Sequence, residues 1–124
     1  MNLKSNQEFR RDLVQNCQLV LCRPEEYLIR QDEKASEVFV IASGDCEVYV
    51  KDWQVKENRE LYVRTLYQGM YFGEIALMNN TVRSATVKSR NYSVLGRISG
   101  SHFHDCLFKH PDIRKSLNSN IEMY

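Results

Sequence analysis

Apolar residues near the start of the chain recur at helical intervals. Phe9, Leu13, Val14 and Cys17 fall on one stripe, the spacing of a helix that buries one face. Ser5 followed three residues later by Glu8 has the form of a capping box. The first twenty residues therefore read as a helix, and Pro24 stops helical character before Tyr27-Leu28-Ile29 begins something extended.

From Tyr27 to Ser99 the pattern shortens to β-rich runs between polar breaks. Val38-Phe39-Val40-Ile41 is uninterrupted, as expected of a strand buried on both faces. Ser43-Gly44-Asp45 is a turn signal and Cys46 to Val50 follows it, so the pair reads as a hairpin. Lys51 to Glu60 is polar and reads as the longest loop. Leu61 to Tyr67 is the next strand, ended by Gln68-Gly69. Ser84 to Val87 and Tyr92 to Ile98 complete the set, separated by Lys88-Ser89-Arg90-Asn91. Short strands at this spacing predict a mainly β sandwich or jelly roll rather than a parallel α/β sheet.

The last quarter returns to helix. Ser101 is placed to cap a short helix ending near Lys109, and Pro111 suits the first position of another, with Asp112 in its first turn. Ile113, Leu117 and Ile121 share one face. The expected organisation is one domain over residues 1–124: a helical segment at 1–22, the β region at 27–99 and helices at 101–124.

Composition narrows the function. The chain of 124 residues is 43% hydrophobic and 27% charged, with a formal net charge of +1. Near-balance supplies no overall electrostatic footprint for nucleic acid or an anionic membrane, and no apolar run approaches the length that spans a bilayer. Cys17, Cys22, Cys46 and Cys106 form no Cys-x-x-Cys pair and are expected as reduced, buried thiols in an intracellular protein.

The stretch from Tyr71 to Val87 carries chemistry. Gly73 permits a tight turn, and Glu74-Ile75-Ala76-Leu77 can begin one helical turn whose unpaired N–H groups favour an anion. Arg83 follows after a short loop and can fork two N–H bonds onto phosphate oxygens. Ala76, Ser84 and Ala85 are small enough for a ligand to approach the backbone. Glu74 would repel a phosphate unless it faces something else, and a sugar hydroxyl is its natural partner. The plainer alternative makes Arg83 a surface arginine ion-paired to Glu74.

Elsewhere the chemistry is thin. His102, Cys106 and His110 sit four apart and could share a helix face, but they read as packing and solvent-exposed residues rather than a zinc site. Ser101, His104 and Asp105 are too close in sequence for a catalytic triad. Trp53 and Tyr62 have no basic stripe beside them for nucleic acid. No nucleophile or general base stands beside the anion anchor, so no catalysis is expected.

The stretch closely resembles the phosphate-binding cassette of the cyclic nucleotide-binding domain family. Phe72-Gly73-Glu74-Ile75-Ala76-Leu77 and Arg83-Ser84-Ala85-Thr86-Val87 stand where that family has Phe-Gly-Glu-aliphatic-small-Leu and Arg-small-Ala-(Thr/Ser)-Val. Phe39-Val40-Ile41-Ala42-Ser43-Gly44 looks like its strand and glycine turn, and Gly69 stands at its turn before the cassette.

The resemblance implies an eight-stranded antiparallel jelly roll with an N-terminal helix and two C-terminal helices, the cassette occupying 72–87. It implies cAMP or cGMP as ligand and no cofactor. Arg83 would pair with the cyclic phosphate and Glu74 would accept from the ribose 2′-OH. Backbone N–H groups of Gly73, Ile75, Ala76 and Ser84 would hold phosphate or ribose, and Val48, Leu66 and Arg64 would lie near the base. A hydroxyl at Ser84 is compatible with either nucleotide. Asp32 stands in a turn that is often glycine in the family, and it tolerates left-handed geometry. Val82 stands where some members have proline, which fits the ion-channel branch better than the kinase regulatory branch. The Phe9–Cys17 helix and Pro24-Glu25-Glu26-Tyr27-Leu28-Ile29 also look like the channel branch. The expected parent is thus a membrane-embedded, homotetrameric potassium-type channel, with this segment cytoplasmic, away from the membrane and without a nucleic-acid partner. A kinase regulatory subunit and the sensor half of a transcription regulator are the alternatives. Thirteen residues follow Pro111, slightly short of the family's base-capping position. Either Ile121 or Tyr124 substitutes as a partial lid or the capping residue lies outside these 124 residues, and the second is the expected reading.

Overall fold

The structure is a computed structural model that describes residues 3–51 and 59–121. In chain order the elements are α1 (Leu3–Val14), β1 (Gln18–Cys22), β2 (Tyr27–Ile29), β3 (Glu37–Ser43), β4 (Cys46–Lys51), β5 (Glu60–Leu66), β6 (Tyr71–Phe72), α2 (Glu74–Asn79), β7 (Thr86–Ser89), β8 (Ser93–Ser99), α3 (Gly100–Lys109) and α4 (Pro111–Ile121). The strands form two four-stranded sheets, ordered β1-β8-β3-β6 and β2-β7-β4-β5, and every pairing is antiparallel. This is the jelly-roll sandwich expected from the sequence.

The run Val38–Ile41 explains how the layers stack. Successive side chains on a strand point to opposite faces. Phe39 and Ile41 enter the core between the sheets with Val48, Leu66, Phe72, Val87 and Leu95. Phe39 opposes Phe72 across β3 and β6, and their rings stack at 5.4 Å. Val38 faces the other way, beneath the helices, with Phe9, Leu13, Ile98, Phe103, Leu107 and Ile113. One strand therefore serves two cores and ties α1, α3 and α4 to the sandwich.

The N-terminal helical segment is shorter than the sequence suggests. α1 ends at Val14 and begins at Leu3, so Ser5 lies inside it rather than capping it. Gln18–Cys22 is a strand whose register with β8 runs from Gln18↔Arg97 to Cys22↔Ser93. Leu19 and Leu21 on its outer side are 69% and 77% exposed, so the hydrophobic alternation that marks a strand is missing. Gly96 of β8 lies close to Cys17, and a β-carbon on it would meet Cys17 Sγ at a tight 3.1 Å. The cap of α3 also moves. Ser99, not Ser101, is the N-cap and its hydroxyl accepts from the His102 N–H at 3.2 Å, a contribution of about 1 kcal/mol. Pro111 opens α4 with Asp112 in the first turn. Of the residues expected to line α4, Ile113 and Leu117 pack on the helical core, while the side chain of Ile121, with Tyr124 and Trp53, lies outside the described residues.

Cys22, Cys46 and Cys106 are buried and Cys17 is half-buried; all four are free thiols. Burial pushes the Cys46 thiol up to about 12, so it stays protonated and unreactive.

Candidate functional site

The site forms where β6 hands over to α2. Gly73 sits between them at φ 92°, a left-handed conformation that costs a side-chain-bearing residue strain and costs glycine none. The reversal places the N–H groups of the first turn of α2, at Glu74, Ile75 and Ala76, at the head of the helix. Ala76 is buried, Glu74 and Ile75 are half-buried, and Ser84 is exposed.

Arg83 is 5% exposed. Its Nη1 donates to the carbonyl of Gly73 at 2.6 Å and its Nη2 donates to the carbonyl of Glu37 at 2.7 Å. Its own backbone is clamped as well: Asp32 N–H donates to the Arg83 carbonyl at 2.8 Å, and Arg83 N–H donates to the Glu33 carbonyl at 2.9 Å. Asp32 adopts φ 71°, the left-handed geometry anticipated for it, and Lys34 bridges to Val82 beside this clamp. The arginine is thus held by β3, by the loop after β2 and by the head of α2.

Its bonds run to carbonyl dipoles, and among the described residues no carboxylate forms an ion pair with it. Two of the five guanidinium donors are engaged by the carbonyls. Burial lowers the Arg83 pKa from its ordinary value, while the Glu37 and Glu74 carboxylates oppose that shift. Glu74 responds in the mirror sense. Burial raises its carboxyl, and a backbone hydrogen bond and the charges of Arg64 and Arg83 pull it back.

The remaining anticipated residues divide by depth. Val48 and Leu66 are part of the sandwich core. Arg64 is exposed on β5 directly opposite Val48, and its charge acts on Glu74. β5 therefore brings a second cation toward the cassette, on the carboxylate side. The surface ion-pair alternative for Arg83 does not describe this arginine, which is buried and bonded to backbone.

Sequence reasoning missed Glu37, whose main-chain carbonyl anchors Arg83 and whose carboxylate pairs with Arg97 at 3.1 Å. No side-chain pattern could have found a backbone acceptor. It also missed the two roles of Gln31, which exchanges hydrogen bonds with the Lys51 backbone at 2.7 and 3.2 Å and donates its N–H to Thr86 Oγ1 at 3.0 Å.

His102 of α3 and His110, which follows its last residue, both reach α1. His102 Nε2 meets the Asp12 carbonyl at 2.9 Å, and His110 Nε2 meets Asp12 Oδ2 at 2.6 Å. Both clip α3 to α1. Among the described residues no group of three potential ligands converges. Ser101 Oγ lies 3.3 Å from Ser99 Oγ, and the His104 ring lies against Phe103. Among the described residues no helix is long and apolar enough to cross a membrane.

Comparison with known proteins identifies the family and the fold. The family model described as cyclic nucleotide-binding domain matches residues 19–110. A cGMP-dependent protein kinase of Plasmodium berghei is 42% identical over 82 residues, 66% of this chain and 9% of the kinase. A Rhodopseudomonas palustris protein named as a candidate potassium channel is 31% identical over 97 residues, 78% of this chain and 22% of that protein. The chain thus spans well under half the length of these relatives. The crystal structure of Thermus thermophilus catabolite activator protein superposes with a TM-score of 0.79 at 15% identity, over 99% of this chain and 55% of that one, a likeness of fold.

Proposed function

The chain belongs to the cyclic nucleotide-binding domain family, and from that premise we propose that Arg83 and the head of α2 receive the cyclic phosphate of cAMP or cGMP. A domain of this family is a ligand-sensing module rather than a catalytic one. The observation that carries the assignment is the state of Arg83: a buried cation, fixed at 2.6 and 2.7 Å by two carbonyls and, among the described residues, balanced by no ion pair. A buried charge is costly until an opposite charge meets it. A phosphate oxygen pair supplies that charge through donors the carbonyls leave available.

The other roles follow the same layout. Backbone N–H groups of Gly73, Ile75, Ala76 and Ser84 line the phosphate and ribose, and Glu74 accepts from the 2′-OH. Val48 and Leu66 give the base an apolar bed, and Arg64 closes the exposed side. The Ser84 hydroxyl is exposed and accepts either base.

The test is calorimetric titration of the chain with cAMP and cGMP beside Arg83→Glu. One-to-one binding by the native chain and none by the variant is the expected result. No binding of either nucleotide at millimolar concentration removes the sensing role of this segment, and equal binding by the variant removes the role of Arg83.

For the parent protein, the helix before the sandwich and the Pro24–Ile29 segment favour a cytoplasmic position beside a potassium-type channel pore in a tetramer. The 42% identity to a kinase favours a kinase host instead. Sequence flanking these 124 residues separates them: membrane spans on the N-terminal side support the channel, and a catalytic kinase domain overturns it. A helix-turn-helix after the last helix would instead make the parent a transcription regulator.

A further inference from the structure

A cavity of about 270 Å³ lies between α1 and the outer face of the first sheet and shares no residue with the site assigned above. Val40 and Tyr71, paired across β3 and β6, form part of its floor, and Leu13 and Val14 of α1 contribute an apolar wall. Arg10 and Arg11 also line it, with Gln7 one turn earlier on the same helix.

The charges here are of one sign. Among the described residues no carboxylate lines the cavity. Of the acids nearby on α1, Glu8 is exposed, and Asp12 bonds to His110 at 2.6 Å while also feeling the charge of Arg11. Arg10 is held in place: Nη1 donates to the Gly69 carbonyl, and its guanidinium lies 5.7 Å from the centre of the Tyr71 ring. Arg11 is exposed beside it. An apolar bed with a cationic rim is complementary to a molecule with a greasy body and one negative end. The volume falls just below the usual range of ligand pockets, which run from about 300 Å³ upward, and suits a short chain rather than a nucleotide.

We propose that this cavity is a second ligand site, which takes a small amphipathic monoanion: an aliphatic carboxylate of medium chain length, its tail on Val40, Val14 and Tyr71 and its carboxylate at Arg11. The tail would exchange water for Val14, Val40 and the Tyr71 ring face, and Arg10 would keep the floor in shape through Gly69. The proposal is independent of the cyclic nucleotide reading.

The experiment is an NMR titration of the whole 15N-labelled chain with sodium butyrate, hexanoate and octanoate, and with 1-octanol, each with and without saturating cAMP. Saturable shifts confined to amides of α1, β3 and β6 are expected. Affinity should climb by up to about fourfold per methylene buried, the equivalent of about 0.8 kcal/mol, and octanol should bind several-fold more weakly than octanoate. Arg11→Glu, on the exposed side of α1, should weaken octanoate by about fivefold with the spectrum otherwise preserved. Val40→Phe should fill the floor and remove saturation. Octanoate binding should be the same with cAMP present. Shifts centred on Gly73–Ser84 that cAMP abolishes would overturn the proposal, as would equal binding of octanol, an unaffected Arg11→Glu variant or shifts that never saturate. Failure of cAMP to bind would count against the cassette and leave these readouts intact.

Discussion

Arg83 Nη1 lies 2.6 Å from the carbonyl oxygen of Gly73, and a β-carbon on Gly73 would fall 2.8 Å from that same nitrogen. The turn and the arginine therefore occupy one another's space, and the missing side chain at residue 73 is what lets the guanidinium dock. Gly73→Ala adds a strained φ of 92° to this clash. The variant should lose about 1–3 kcal/mol of stability and at least tenfold in cyclic nucleotide affinity. A thermal melt and a calorimetric titration measure the two, and native-like affinity would show that the docked position of Arg83 is not the binding position.

Charge alone should not replace the fork. Arg83→Lys keeps a cation but cannot donate to Gly73 and Glu37 with the same planar geometry. One of those carbonyls loses its partner, a cost of about 1–3 kcal/mol, and nucleotide affinity should fall by about 10- to 100-fold. Lysine binding within twofold of arginine would show that the site reads only charge.

Glu74 ties stability to pH. Burial raises its carboxyl above 4.5, so the folded domain holds this proton more tightly than the unfolded chain does. The stabilisation from protonation is complete below 4.5 and lost as pH rises through the raised folded value. Glu74→Gln should therefore melt higher than the native chain at pH 7, and the gain should shrink as pH approaches 4.5. The same variant should bind cyclic nucleotide about tenfold more weakly, because a charged acceptor for the ribose hydroxyl becomes a neutral one. A variant that is both stabler and equally tight would separate Glu74 from the ligand.

The legible part of this molecule was its local chemistry. The Val38–Ile41 run announced burial on both faces, and the fixed spacing from Phe72 to Val87 carried the cassette and its family. What stayed hidden depends on distant partners. Gln18–Cys22 becomes a strand because β8 is there to pair with it, and its outward leucines erased the usual alternation. Ser99 caps α3 where the sequence pointed to Ser101, since it is the Ser99 hydroxyl that takes the His102 N–H. The anchor of Arg83 is a carbonyl on a residue 46 positions away, which no side-chain pattern encodes.

The histidine-bearing helix supplies a last test, because Asp12 joins α1 to α3 through His110 at 2.6 Å and through its own carbonyl to His102 at 2.9 Å. The hydrogen bond from His110 holds the Asp12 carboxyl below 3.8, helped by the charges of His110, Lys109 and Arg11 against a smaller desolvation effect. A depressed folded value means stability that is present above 3.8 and lost as pH falls through the lowered value. Asp12→Asn should accordingly melt below the native chain at pH 6, and the gap should close as the pH is taken under 3.8. The His102 contact to the Asp12 backbone survives the substitution, so the helices should stay docked and the loss should be modest. Amide hydrogen exchange should report faster opening of α1 and α3 in the variant at pH 6, with the sandwich strands β4 and β7 unchanged. An Asp12→Asn chain whose melting gap is the same at pH 3 as at pH 6 would show that the His110 bond does not hold these helices through charge.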